Sequence, residues 1–199
     1  MARKAKHRQA IVDAAVALFR KQGYAATGLN EIVEASGAPK GSLYYYFPKG
    51  KASIAVAAVE EAGRRVVETI EALASGARDT GELVQRHAMQ LGAWMKKSNY
   101  RDGCPITTVL LELAPQDRAV TAAGRAAYDA RIKAMTESLL RDGHDPARAR
   151  RMAQFSCSAL QGALIQSRIE RSSQPLQLAA EELAPLFAAM RPGTLPAGR

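Results

Sequence analysis

The chain is poor in the residues that build metal sites and disulfide frameworks. It holds two cysteines, Cys104 and Cys157, and three histidines, His7, His87 and His144. The cysteines stand far apart and in no CxxC pattern, which argues against a disulfide framework and fits a reducing compartment. The histidines are scattered, so no His/Cys cluster has metal-ligand spacing. No apolar run approaches the ~20 residues of a membrane span. The basic start "MARKAKHRQA" lacks a following signal-peptide core, because Asp13 interrupts "AIVDAAVALF". A cytoplasmic protein is therefore expected. Also missing are a nucleophile–base arrangement and a Gly-rich phosphate loop. The sequence thus gives no sign of an enzyme, and no cofactor is expected.

What is present is an ordinary globular composition: 199 residues, 47% hydrophobic and 24% charged. That suffices for one good core, or for a small domain beside a larger one. The net charge is +9, and it is unevenly placed. Residues 1–51 carry nine Lys or Arg against three acids, an excess of six. A concentrated basic segment favours a polyanion such as nucleic acid or anionic lipid.

The pattern reads as helix nearly throughout, an all-α chain. Ile11, Ala15, Leu18 and Phe19 form one apolar stripe. Gly23 suits a left-handed cap. Thr27 or Asn30 can cap a short second helix, "LNEIVEAS". Gly37 accepts positive φ, and Pro39 suits the first turn of a third helix, "KGSLYYYF". Pro48 and Gly50 stop it. From Lys51 the helices lengthen, at 51–74, 80–98, 117–141, 146–171 and 175–190, with a short apolar one at "ITTVLLEL". Helix length and charge both change near residue 50. The expected domains are 1–50 and 51–191, with a flexible tail at 192–199.

Three consecutive tyrosines, "APKGSLYYYFPKGK", pose a packing question. Consecutive helical side chains fan out too widely for one core to take all three. A short helix, a turn with glycine and a second short helix make a helix-turn-helix, whose second helix reads the major groove. Leu43 and Phe47 share a face and anchor the third helix inward. Lys40, Ser42, Tyr44, Tyr45 and Tyr46 then face outward or sideways. Tyrosine hydroxyls can donate to phosphates, and the rings can lie against sugars and thymine methyls. Lys40 and Lys51 each open a helix, where a cation opposes the macrodipole by roughly 0.3–1 kcal/mol. Such places suit phosphate, because free amides and the ammonium then point at one anion.

Residues 8–55 resemble the DNA-binding domain of TetR-family transcriptional regulators. The matching positions are Phe19, Gly23, Tyr24, Thr27, Ile32, Ser36, Gly37, Gly41, Leu43, Tyr44, Phe47 and Lys51. That stretch, with the later "GCPITTVLLELAP", is similar to the LmrA/YxaF-type branch. The resemblance implies that Thr27 and Tyr46 touch phosphates. It implies that Lys40, Ser42, Tyr44 and Tyr45 line the groove, and that Lys51 binds phosphate. Tyr46 stands where the family often has histidine. Gly23, Gly37, Gly41, Leu43 and Phe47 read as architecture.

The resemblance also implies a larger C-terminal domain that dimerises and holds a small-molecule pocket. For the pocket we single out Trp94, Met95, Cys104, Ile106, Leu110, Phe155, Ser158 and Gln161, a largely apolar set with a few orienting polar groups. Cys104 heads an apolar helix, a place that can lower a thiol pKa. For the dimer interface we single out Ala159, Gly162, Ala163, Leu183 and Phe187, since small residues let helices approach closely. The expected function is a homodimeric repressor on a palindromic operator, released by a small apolar or aromatic inducer. An enzyme and a non-specific DNA-binding or adaptor protein are the competing classes.

Overall fold

Helices account for nearly all of the residues 2–188 that the computed structural model describes, and no strand occurs among them. The elements are α1 (Ala2–Gln22), α2 (Leu29–Ser36), α3 (Lys40–Tyr46), α4 (Lys51–Gly76), α5 (Thr80–Lys97), α6 (Pro105–Leu113), α7 (Arg118–Arg141), α8 (Pro146–Glu170) and α9 (Gln174–Ala188). The tail expected at 192–199 lies outside the described residues. None of these helices is long and apolar enough to cross a membrane.

Local chemistry sets the ends. Gly23 ends α1 at φ +84, and its N–H bonds the Phe19 carbonyl at 3.0 Å. Gly37 ends α2 at φ +60. Both conformations are left-handed, which is why glycine stands there. The cap of α2 is Gly28, not Thr27 or Asn30 as the sequence suggested. Glu31 reaches back to the Gly28 N–H at 3.3 Å and supplies half of a capping box. Further along, the Asp79 side chain accepts from Glu82 N–H at the start of α5, and Asp145 accepts from Arg148 N–H at the start of α8. Pro185 lies inside α9.

Two compact units emerge. The first comprises the chain up to Arg65 together with Asp102–Tyr128; the second comprises Val66–Arg101 and the chain from Asp129 onward. In sequence character the chain changes near residue 50, yet the first unit also takes in the start of α4, all of α6 and the start of α7. Its core gathers Ile11, Phe19, Ile32, Leu43, Phe47, Ile54, Val59, Ile106, Val109 and Val120. Each such side chain contributes about 1.5–3 kcal/mol by leaving water. The second core gathers Ile70, Leu83, Val84, Met135, Leu139, Leu160, Leu176, Leu183 and Phe187.

Candidate nucleic-acid interface

The three short helices at the start of the first unit are fixed by their apolar anchors. Ile32 of α2 and Leu43 of α3 are fully buried, and Phe47 just after α3 is nearly so. With Leu43 and Phe47 turned inward, the helical period directs the intervening side chains away from the core. Tyr44 is 52% exposed and Tyr45 67%. Tyr46 is half-buried and packs against the first core. Its ring meets that of Tyr45 edge-on, centroids 4.9 Å apart. Lys40 is exposed and Ser42 half-buried. One tyrosine is therefore a brace and two form an aromatic outer wall. Arg8 of α1 lies over the Phe47 ring at 5.6 Å and adds a cation near the same end.

The resemblance implied phosphate contacts for Thr27 and Lys51, and both side chains are engaged in the turn that precedes α2. Thr27 is fully buried, and its hydroxyl donates to the Gly23 carbonyl at 2.7 Å. That bond is also why Thr27 does not cap α2. The Lys51 ammonium donates to the carbonyls of Tyr24 (2.8 Å), Ala25 (3.3 Å) and Thr27 (2.8 Å). An ammonium has three donors, and all three go to this turn. It also lies 4.2 Å from the centre of the Tyr24 ring. A phosphate at Lys51 would have to displace one of those carbonyls.

The other side of the same turn is held by a residue that the sequence did not mark. Glu112 of α6 accepts from the Tyr24 N–H at 2.8 Å and the Ala25 N–H at 2.6 Å. A Cβ on Gly23 would push aside the Glu112 carboxylate and disturb these two bonds, while the positive φ is what calls for glycine there. Thr108 of α6 donates to the Phe19 carbonyl at 3.1 Å, and Gly103 N–H donates to the Arg20 carbonyl at 2.9 Å. The turn before the reading helices is thus gripped by an anion through its amides and by a cation through its carbonyls. Burial, and then the charges of Asp117 and Glu112, hold the Tyr24 phenol above its ordinary pKa. No signal at 88 residues' separation could have named Glu112, because the contact is tertiary.

Of the eight residues expected to form a pocket, four divide between the two cores. Cys104, Ile106 and Leu110 belong with the first core, and Met95 with the second. Trp94 (44%) and Phe155 (54%) are exposed, as is Ser158. Gln161 is half-buried beside Arg131. An open groove of about 300 Å³ in the second unit is lined by Arg78, Asp79, Gly81, Glu82, Gln85, Glu181, Ala184 and Pro185, none of the eight. Of the residues expected at a dimer interface, Ala163, Leu183 and Phe187 are buried in the second unit's own core. The helical period puts that stripe of α8 and α9 inward. The outward faces carry Phe155, Ser158, Gly162, Ile165 and Ile169 on α8 and Leu178 and Leu186 on α9, with Ala159 at the margin. Among the described residues no group of His, Cys, Asp and Glu is placed to hold a metal ion.

Known proteins fit this arrangement. Residues 11–58 match the bacterial regulatory proteins of the tetR family, and residues 80–182 match the C-terminal domain of LmrA/YxaF-like transcriptional regulators. The HTH-type transcriptional regulator Rv0196 of Mycobacterium tuberculosis is 33% identical, over 93% of this chain and 96% of its own. LmrA of Bacillus subtilis, also an HTH-type transcriptional regulator, is 31% identical over 85% and 90%. The crystal structure of the regulatory protein TetR from Rhodobacter sphaeroides superposes with a TM-score of 0.78 at 20% identity, covering 89% of this chain and 97% of that one. This chain belongs to the TetR family of helix-turn-helix, DNA-binding transcriptional regulators, with a C-terminal domain of the LmrA/YxaF-like type, and is a regulator rather than an enzyme.

Proposed function

We propose that the protein is a homodimeric repressor that occupies a palindromic operator and is released when a small molecule binds its second unit. The observation that carries the DNA reading is α3. Leu43 and Phe47 fix the helix from inside, while Lys40, Ser42, Tyr44 and Tyr45 are left to the groove and Tyr46 to a flanking phosphate. Thr27 and Lys51 act one step back, by fixing the turn that orients α2 and α3. The dimer reading is supported by the outward apolar stripe on α8, spaced at i, i+3, i+7, i+10 and i+14 from Phe155 to Ile169. A stripe with glycine and serine at its middle lets two copies of α8 pack closely, and Leu178 and Leu186 extend it onto α9. In such a dimer two α3 helices enter successive major-groove faces about one turn apart. Ligand release needs only a differential affinity between two states, typically a coupling of about 1–3 kcal/mol.

The test is fluorescence anisotropy of the protein on its own upstream DNA and on a scrambled duplex, across a salt series. A steep salt slope with strong preference for the upstream fragment is the expected result. Equal binding to both would replace operator recognition by a non-specific DNA role.

A further inference from the structure

Inside the second unit one cation has no anion. Arg131 of α7 lies on the inward stripe with Ala134, Met135, Ser138 and Leu139, and is only 7% exposed. Its Nη1 donates a long bond, 3.4 Å, to the Gln161 side-chain oxygen of α8. Its Nε is buried and makes no hydrogen bond. No carboxylate among the described residues pairs with it. Around it stand His87 of α5, 3% exposed, and Cys157 of α8, 4% exposed, both within reach of its charge. His87 carries no negative charge in either protonation state; burial, followed by the Arg131 charge, lowers its pKa to about 3 and keeps it a neutral ring. Cys157 cannot either: burial pushes its thiol up, although Arg131 pulls the other way.

Guanidinium does not shed its proton, so this charge cannot be removed by titration. A buried charge left without a partner is among the costliest features a core can carry. Exposed arginines of the same unit keep their hydration, and two of them, Arg78 and Arg86, also meet Glu82; buried Arg131 has no such recourse. What sets Arg131 apart is burial without a counter-charge, which leaves it open to an anion from outside the chain. The planar fork of N–H groups, one member unsatisfied, is matched by a carboxylate. The ring N–H of neutral His87 and the Cys157 thiol can donate to the remaining lone pairs. The apolar residues of the same core, Leu83, Val84, Met135 and Leu160, suit a hydrocarbon or aromatic body.

We propose that Arg131 is the carboxylate anchor of the ligand site, and that the effector is a monocarboxylate with an apolar body. This rests on reading the second unit as ligand-binding, and it narrows the expected small apolar or aromatic inducer to an acid.

The experiment titrates the full-length protein with octanoate and benzoate, and with octanol and benzyl alcohol as neutral counterparts, at constant ionic strength. Binding is followed by calorimetry and thermal shift. The wild type should prefer each acid over its alcohol by roughly 10- to 100-fold, the worth of a hydrogen-bonded charge. Arg131→Met should lose that preference while still taking up the apolar body. Arg131→Lys, which keeps the charge but loses the fork, should fall between, and it serves alone if the methionine variant does not fold. Equal affinity for acid and alcohol in the wild type, or a preference that survives both substitutions, overturns the anchor. A parallel anisotropy titration on operator DNA separates the two readings. Arg131-dependent acid binding without DNA release leaves the anchor standing and overturns ligand-controlled repression. DNA release by acids and alcohols alike does the reverse.

Discussion

Lys51 and His87 show how one side chain's surroundings decide its role. Lys51 opens a helix in a basic segment, and by position it reads as a phosphate contact. Its three donors instead hold the carbonyls of Tyr24, Ala25 and Thr27. Lys51→Met should therefore cost about 1–3 kcal/mol of stability, a Tm loss of about 2–4 °C per kcal/mol. The slope of log affinity against log salt should stay unchanged, where a phosphate contact would lower it by about one ion. A drop of one ion with no change in Tm would restore the phosphate role. His87 sets a pH dependence. Its folded pKa is depressed to about 3 from the ordinary 6.5, so between those values the unfolded chain binds a proton that the folded chain does not. Its contribution is therefore fully present above about pH 6.5 and is lost as pH falls toward 3. The stability of the wild type should decline over that window by up to about 1.4 kcal/mol per pH unit more than that of His87→Gln. Denaturant melts of both proteins across the window measure the difference.

At the scale of the element, α3 is the helix whose outward face can carry sequence preference. Tyr44→Ala and Lys40→Ala should each lose roughly 1–3 kcal/mol on the operator and less on random DNA. Competition binding with the two duplexes checks this; equal losses on both would move α3 from base edges to backbone. This helix was legible in sequence because its determinants are local. Gly23, Gly37, Pro39, Leu43 and Phe47 lie within 25 residues and specify turn, start and inward face without reference to the rest. The cap of α2 was misread for the opposite reason: Thr27 had a competing acceptor, the Gly23 carbonyl, visible only once the turn is folded. Leu183 and Phe187, singled out for the dimer interface, are buried in the second unit's own core, because the sequence does not say which neighbour an apolar side chain of α9 meets. Arg131 carried no signal at all, since a lone arginine in a charged helix reads as solvated. Glu112 was hidden by its distance along the chain.

For the molecule as a whole, the outward stripe of α8 is an apolar face that the described residues leave uncovered. Ile165→Glu, a change at a 51% exposed position, should leave the fold intact and reduce the particle to one chain by light scattering. Operator affinity should then fall roughly 100-fold or more, the avidity of two linked heads. A dimer that survives this change would place the interface elsewhere. The division into units has a consequence for how the protein is made. The DNA-binding head draws on residues up to Arg65 and again on Asp102–Tyr128. On the ribosome its first half therefore waits for its second while the intervening stretch is synthesised. At 5–20 residues per second, completing the second half through Tyr128 takes roughly 3–13 seconds after Arg65. Until then Ile11, Phe19, Ile54 and Val59 lack the full set of Ile106, Val109 and Val120, and the Tyr24–Ala25 turn waits for Glu112. The nascent head is thus most open to proteases and to misassociation before the chain is two-thirds made, and a fragment ending near residue 50 would keep that vulnerability permanently.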